Sequence, residues 1–163
     1  MKLSSFMLPF VLMSAFAPAA PSYAAEPAGP PAAALGNHGM VTRSSPFPVE
    51  EAVNRLETLL RAKGIKIFAR IKFSRDARAA GLSLRPMQLL IFGNPKAGTP
   101  LMQAAPTIGL DLPMKVLVWQ DSHDRVWATW NAPSYLLERH HLEAAYAKNL
   151  PAINKLLDAA WKK

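Results

Sequence analysis

A short segment at positions 92–100, FGNPKAGTP, contains the residue types best suited to binding a small molecule. It lies between an apolar run and a predicted helix start, where backbone N–H groups can meet an anion. Glycines allow a ligand to approach the backbone closely, and a nearby lysine adds positive charge. The candidate ligand-binding residues of this segment are Gly93, Asn94, Lys96, Gly98 and Thr99.

The same segment also has a purely structural interpretation. Gly93 and Gly98 have the spacing of a Walker A loop, but Thr99 stands where the motif lysine should follow the second glycine. The segment is therefore not a nucleotide-binding P-loop. In the structural alternative the glycines and Pro95 form a tight turn, and Thr99 caps a short helix that begins at Thr99-Pro100.

Asp111 completes the candidate site. It lies between Leu110 and Leu112, so we expect its carboxylate to be partly buried. Lys96 or Lys115 is its expected partner. A structural ion pair or a turn cap is the simpler role for this carboxylate, and a catalytic acid is the alternative.

The sequence lacks the usual signatures of an enzyme or a metalloprotein. It contains no cysteine, and therefore no disulfide, thiolate zinc site or cysteine nucleophile. No GxSxG or HExxH motif is present. His140 and His141 are adjacent, and adjacent residues of a helix face different directions, which argues against a zinc site. We expect no catalytic residue, no metal and no cofactor, so an enzyme is the less favoured alternative.

Nucleic acid is not an expected partner. Lysine and arginine are scattered singly and in pairs, with no basic stripe interleaved with aromatic residues. Trp119, Trp127 and Trp130 lie on a predicted hairpin, where packing in the core or an interface explains them better than stacking on bases.

The elements that must position these residues predict an α+β domain. Val49, Val53, Leu56 and Leu60 recur at helical spacing, and Gly64 follows as a helix-terminating glycine. After this helix, strands are predicted at 65–72, 87–92, 114–119 and 126–130, short helices at 76–80 and 99–105, and further helices from Pro133, divided by Pro151. The order predicts a largely antiparallel sheet of four to five strands with helices packed on one face.

Residues 1–24 are predicted to be a signal peptide. Lys2 precedes an apolar run of 12 residues, Phe6–Ala17. This run is shorter than the ~20 residues that a membrane-spanning helix needs. Small residues at Ser22 and Ala24 place cleavage after Ala24. We therefore expect a periplasmic or secreted protein with no transmembrane segment in its mature form.

Composition suits one folded domain. Residues 25–38 are rich in proline and alanine and are predicted to be a disordered linker, which leaves residues 39–163 as a single domain. The whole chain has 19 basic and 11 acidic residues, and cleavage would remove only Lys2 from this count, leaving a net charge of +7. A solvated basic surface is the simplest interpretation, with weak attraction to anionic envelope material as the alternative.

Three stretches give the chain a family resemblance: AAGLSLRP at 79–86, LLIFGNPKAGTPLM at 89–102 and LDLPMK at 110–115. Over about 39–142 the sequence resembles the bacterial family called domain of unknown function 302. The resemblance implies a TATA-binding-protein-like fold, with a long helix across a sheet, and a tendency to form homodimers. It implies no reaction, because no activity is established for the family.

The sequence departs from this family pattern at two places. Lys72-Phe73 stands where many members have an Asp-His pair, so any role of that histidine is lost here. Asp124 stands in the hairpin connection where glycine is frequent, and aspartate tolerates the left-handed conformation at modest cost.

Together these observations predict an exported, non-catalytic binding module for a small, anionic ligand or a partner, which forms a homodimer. The alternatives are an enzyme of unknown reaction type and an envelope protein-interaction domain. A pocket beside Lys96 and Asp111 would favour ligand binding, and a flat apolar patch would favour partner binding.

Overall fold

The computed structural model describes residues 38–162, which form an α+β domain. The predicted signal peptide and nearly all of the predicted linker lie outside these residues. The strands are β1 (Met40–Ser45), β2 (Lys66–Ile71), β3 (Met87–Gly93), β4 (Met114–Gln120) and β5 (Val126–Asn131). The α-helices are α1 (Val49–Ala62), α2 (Phe73–Ala79), α3 (Pro95–Ala104), α4 (Pro133–Arg139) and α5 (Ile153–Ala160), and 3₁₀ helices lie at Pro106–Leu110 and Ala144–Asn149.

The five strands form one antiparallel sheet in the order β1-β5-β4-β3-β2. The predicted α+β class and largely antiparallel sheet are therefore confirmed. The chain before α1 is the edge strand β1. Its Val41 pairs with Trp130 of β5.

The core lies between the sheet and α1, with α5 packed beside α1. On α1 the apolar stripe includes Val53, Leu56 and Leu60, all of which are fully buried. On β3 alternate residues point into this layer, as Leu90 and Phe92 do, while the residues between them are half-buried. Burying each such side chain contributes roughly 1.5–3 kcal/mol, which explains why the apolar periodicity fixes the placement of α1.

Left-handed residues end the first helix and shape the last hairpin. Gly64, with a φ of +68°, follows the C-cap residue Lys63, where the sequence placed a terminating glycine. Asp124 has a φ of +60° between β4 and β5. Aspartate thus adopts the conformation expected for it, because its short polar side chain tolerates this region better than most side chains do.

One predicted helix start differs from the structure, and one predicted division of a helical region agrees with it. The helix expected from Thr99-Pro100 begins instead at Pro95 and includes Pro100, because Asn94 provides the cap. The C-terminal helical region is divided as predicted, since Pro151 lies between the second 3₁₀ helix and α5. Within the part of the chain that the structure describes, no helix has the length and apolar character needed to cross a membrane.

Candidate functional site

The 92–100 segment forms the end of β3 and the first turn of α3. Asn94 is the N-cap, and its Oδ1 accepts a hydrogen bond from the N–H of Lys96 at 3.0 Å. The N–H groups of Ala97 and Gly98 donate to the Asn94 carbonyl oxygen at 3.0 and 2.9 Å, and Pro95 has no N–H. The first-turn N–H groups that were predicted to meet an anion are therefore already hydrogen-bonded to Asn94.

Neither glycine of the segment forms a strained turn. Gly93 ends β3 and Gly98 lies within α3, and neither has the left-handed φ that requires glycine. Thr99 does not cap a helix, since its hydroxyl donates to the carbonyl oxygen of Pro95 at 2.8 Å. The tight-turn interpretation was wrong, because Asn94 and Pro95 start the helix four residues earlier than expected.

A surface cavity of about 470 Å³ lies beside this segment, and we call it the loop cavity. Four of the six predicted site residues line it, whereas Lys96 and Asp111 do not. The four are Gly93, Asn94, Gly98 and Thr99. Apolar side chains from four other parts of the chain line it as well, among them Phe68, Met102, Leu112, Pro113 and Leu150.

The loop cavity has polar residues that sequence reasoning missed. Lys148, which is exposed, and Asn149 line it from the second 3₁₀ helix. Asn149 Nδ2 donates to the carbonyl oxygen of Ala97 at 3.1 Å, and this bond joins the 3₁₀ helix to α3. No local pattern marks these residues, because the contact spans 52 positions of the chain.

Asp111 has other partners than the two lysines expected. Its carboxylate is 13% exposed, and Oδ2 lies 2.7 Å from His140 Nε2 and 3.5 Å from Arg139 Nη1. Lys115 Nζ donates to the backbone carbonyl of Asp111 at 2.9 Å rather than to its carboxylate. Burial lowers the pKa of Lys115, and the charge of Asp111 opposes that effect. The expected lysine partners are wrong because α4 brings His140 and Arg139 to the Asp111 carboxylate.

The tryptophans of the hairpin are mainly core residues. Trp127 is 6% exposed and Trp130 is 4% exposed, which confirms the packing role. Trp119 is half-buried, and its Nε1 donates to Thr129 Oγ1 at 3.0 Å. The hairpin therefore does not present the three rings as an exposed platform.

A second cavity of about 670 Å³ lies where β1 meets α1, and Glu50 and Gln88 of its lining belong to a polar network. Gln88 donates to Glu50 and accepts from Arg70 Nε at 2.8 Å. Lys72, at the position where the family pattern has an Asp-His pair, donates to Glu50 Oε1 at 3.0 Å. The hydrogen bonds from Gln88 and Lys72 hold the pKa of Glu50 below its ordinary value. This arrangement is a structural network that joins α1, β2 and β3.

Comparison with known proteins identifies a family and a fold that this chain resembles. Residues 41–160 match the family described as domain of unknown function DUF302. The crystal structure of an uncharacterized conserved DUF302 protein from Bacillus stearothermophilus superimposes with a TM-score of 0.62 at 22% identity, covering 76% of this chain and 95% of that one.

Two curated relatives are longer proteins named fluoride-specific ion channel FluC 1. The relative from Brucella suis biovar 1 is 43% identical over 113 residues, which cover 69% of this chain and 44% of that protein. The relative from Brucella abortus biovar 1 is also 43% identical over 113 residues, which cover 42% of that protein. The chain therefore spans less than half of each relative. With a match over 41–160 and the same fold as a solved member, the chain belongs to the DUF302 family.

Proposed function

We propose that this protein is an exported binding module whose ligand is a small molecule with an apolar body and an anionic group, held in the loop cavity. The observation that carries the proposal is the cavity itself, which adjoins four of the residues that the sequence selected independently. Sites for small molecules are typically concave and mainly apolar, with a few polar groups that orient the ligand.

The walls of the loop cavity suit an apolar ligand body. Phe68 is 45% exposed and Met102 is 39% exposed, so both leave apolar surface in water when the cavity is empty. Covering such surface contributes about 25 cal/mol per Å². Gly98 keeps the wall open on the α3 side, because a Cβ there would lie 3.9 Å from Met102 Cε.

The charge at the rim suits an anionic group. Lys148 lines the cavity, whereas Lys96 is exposed outside the lining. Because the first-turn N–H groups of α3 are already bonded, the lysine at the rim is the better contact for an anion. An exposed ion pair contributes at most about 1 kcal/mol, which corresponds to roughly a fivefold change in affinity.

Native mass spectrometry of protein purified from the periplasm tests this function. We expect a retained ligand and a lower occupancy in Lys148→Ala, because the affinity falls by up to about fivefold. Occupancy should fall further in Gly98→Leu, whose side chain would enter the cavity. Lys155→Ala removes an exposed lysine from α5 and is the matched control. Lys96→Ala should have a smaller effect than Lys148→Ala, and equal occupancy in all four variants would contradict the proposal.

A second candidate role rests on the 43% identity to proteins named fluoride-specific ion channels. In this proposal the chain acts in the same process as those relatives, by responding to fluoride or by contacting a channel. Melting in sodium fluoride and in sodium chloride of equal ionic strength tests the fluoride part. A shift specific to fluoride supports it, whereas equal shifts in the two salts contradict it.

A further inference from the structure

Thr107, His140 and Asp111 form a hydrogen-bonded series that the binding proposal does not use. Thr107 Oγ1 lies 2.9 Å from His140 Nδ1, and His140 Nε2 lies 2.7 Å from Asp111 Oδ2. Thr107 belongs to the first 3₁₀ helix, Asp111 follows that helix, and His140 follows α4. None of the three residues lines the loop cavity.

The hydrogen-bond inventory of the three groups fixes the direction of the series for neutral His140. An ionised carboxylate only accepts hydrogen bonds, so Asp111 takes the Nε2–H of His140. The other ring nitrogen, Nδ1, then carries a lone pair and accepts the hydroxyl proton of Thr107. The three groups follow one another as nucleophile, base and orienting carboxylate, as in enzymes that activate a hydroxyl group, but with the two ring nitrogens exchanged.

The base and the carboxylate of this series are held by packing, whereas the hydroxyl residue is exposed. The His140 side chain is 5% exposed and the Asp111 side chain 13%, so packing holds the imidazole in place. Thr107, by contrast, is an exposed residue that a reagent in solution can reach. Arg139, whose side chain is 47% exposed, places a positive charge 3.5 Å from the Asp111 carboxylate.

We propose that Thr107 is a nucleophilic hydroxyl, activated by His140 as general base, which accepts an acyl group from an activated ester. Thr107 Oγ attacks the carbonyl carbon, and its proton passes to His140 Nδ1. The bond between the carbonyl carbon and the leaving oxygen then breaks, and that oxygen departs with the electron pair and takes up the proton held on His140 Nδ1. The products are an ester on Thr107 and a free alcohol or phenol. Asp111 is a positioning residue, because it acts through His140.

Acylation with p-nitrophenyl acetate tests the proposal. We expect release of p-nitrophenolate together with one acetyl group on the peptide that contains Thr107, located by mass spectrometry. Thr107→Ala should lose this adduct, and Thr107→Ser should retain it. His140→Gln should slow acylation about a hundredfold or more, the usual contribution of a general base. Thr58→Ala is the matched control, because it removes an exposed threonine hydroxyl on α1, away from both proposed sites.

Asp111→Asn distinguishes positioning from a merely structural role. We expect Asp111→Asn to be acylated at least about tenfold more slowly than the wild type and to show an altered pH–rate profile, which loss of a purely structural contact would not produce. Acetylation confined to lysines, or acetylation of Thr107 at equal rates in wild type and His140→Gln, would overturn the proposal. These outcomes are independent of ligand retention in the loop cavity, so the two proposals fail separately.

Discussion

Asp121 organises the β4–β5 hairpin through a buried carboxylate. Its oxygens accept hydrogen bonds from the N–H groups of His123 and Arg125, from Arg125 Nε and from Trp127 Nε1, each at 2.9 Å. Burial by itself raises the pKa of such a group, but these hydrogen bonds outweigh it and hold the pKa of Asp121 well below its usual range. The ionised carboxylate is therefore part of the folded structure.

The pH dependence of stability follows from that lowered pKa. A carboxyl group whose folded pKa lies below its unfolded value of about 3.9 contributes stability above pH 4, and this contribution is lost as the pH falls toward the folded value. Asp121→Asn should lower the melting temperature at pH 7 and reduce the loss of stability between about pH 5 and pH 2. Asp124→Asn, an exposed change in the same hairpin, is the control. Equal acid sensitivity of both variants would contradict the expectation.

Gly98 and Gly81 should respond in opposite directions to replacement by alanine. A Cβ at this position would meet Leu112 Cδ1 at 3.7 Å and Met102 Cε at 3.9 Å, which are ordinary contacts. Because alanine favours a helix over glycine by about 1 kcal/mol, Gly98→Ala should raise the melting temperature by a few degrees. Gly81→Ala should lower it, since Gly81 has a φ of +76°. Thermal melting of the two variants tests the contrast, and a lower melting temperature for Gly98→Ala would contradict it.

At the scale of the element, the start of α3 decides what the 92–100 segment presents to a ligand. The cap at Asn94 satisfies the N–H of Lys96, and Pro95 occupies the first helical position that tolerates it best. The helix therefore begins with its donors already bonded. What remains for a ligand is the apolar wall between α3, the Leu112 region and the second 3₁₀ helix.

Asn94→Ala should destabilise the domain by about 0.5–2 kcal/mol, because the N–H of Lys96 loses its acceptor. Asn94→Asp retains an acceptor at this position and is expected to stay close to the wild type. Urea unfolding of the two variants measures the difference. Equal midpoints for both would show that the cap bond does not hold the start of α3.

At the scale of the whole molecule, self-association is the property that family resemblance predicts. We expect a dimer at micromolar concentration that dissociates to folded monomers on dilution. The burial of Trp127 and Trp130 removes two of the three rings that had been offered as interface residues, so the expectation rests on the family resemblance. Sedimentation velocity over a range of concentrations tests it, and one species of monomer mass throughout would contradict it.

Export is the second prediction at this scale. Small residues at Ser22 and Ala24 predict a mature protein that begins at Ala25. N-terminal sequencing of the protein from the periplasm measures the start. Recovery of a chain that begins at Met1, or one shortened by several tens of residues, would contradict the prediction.

The sequence by itself determined the features that depend on near neighbours. The spacing of Leu56 and Leu60 predicted the buried face of α1, Gly64 predicted its end, and the apolar run around Leu90 predicted a buried strand. The run at 89–102 indicated the family. These predictions succeeded because periodicity, capping and backbone conformation are set within a few residues along the chain.

Only the tertiary structure decided which distant side chains meet. Lys148 reaches the loop cavity and His140 reaches Asp111 because a 3₁₀ helix and α4 pack against the segments after β3. Each of these contacts depends on the relative placement of elements separated by tens of residues, for which no local pattern exists. Lys96 is one of the predicted site residues but does not line the cavity, because packing, and not proximity along the chain, selects the residues that line it.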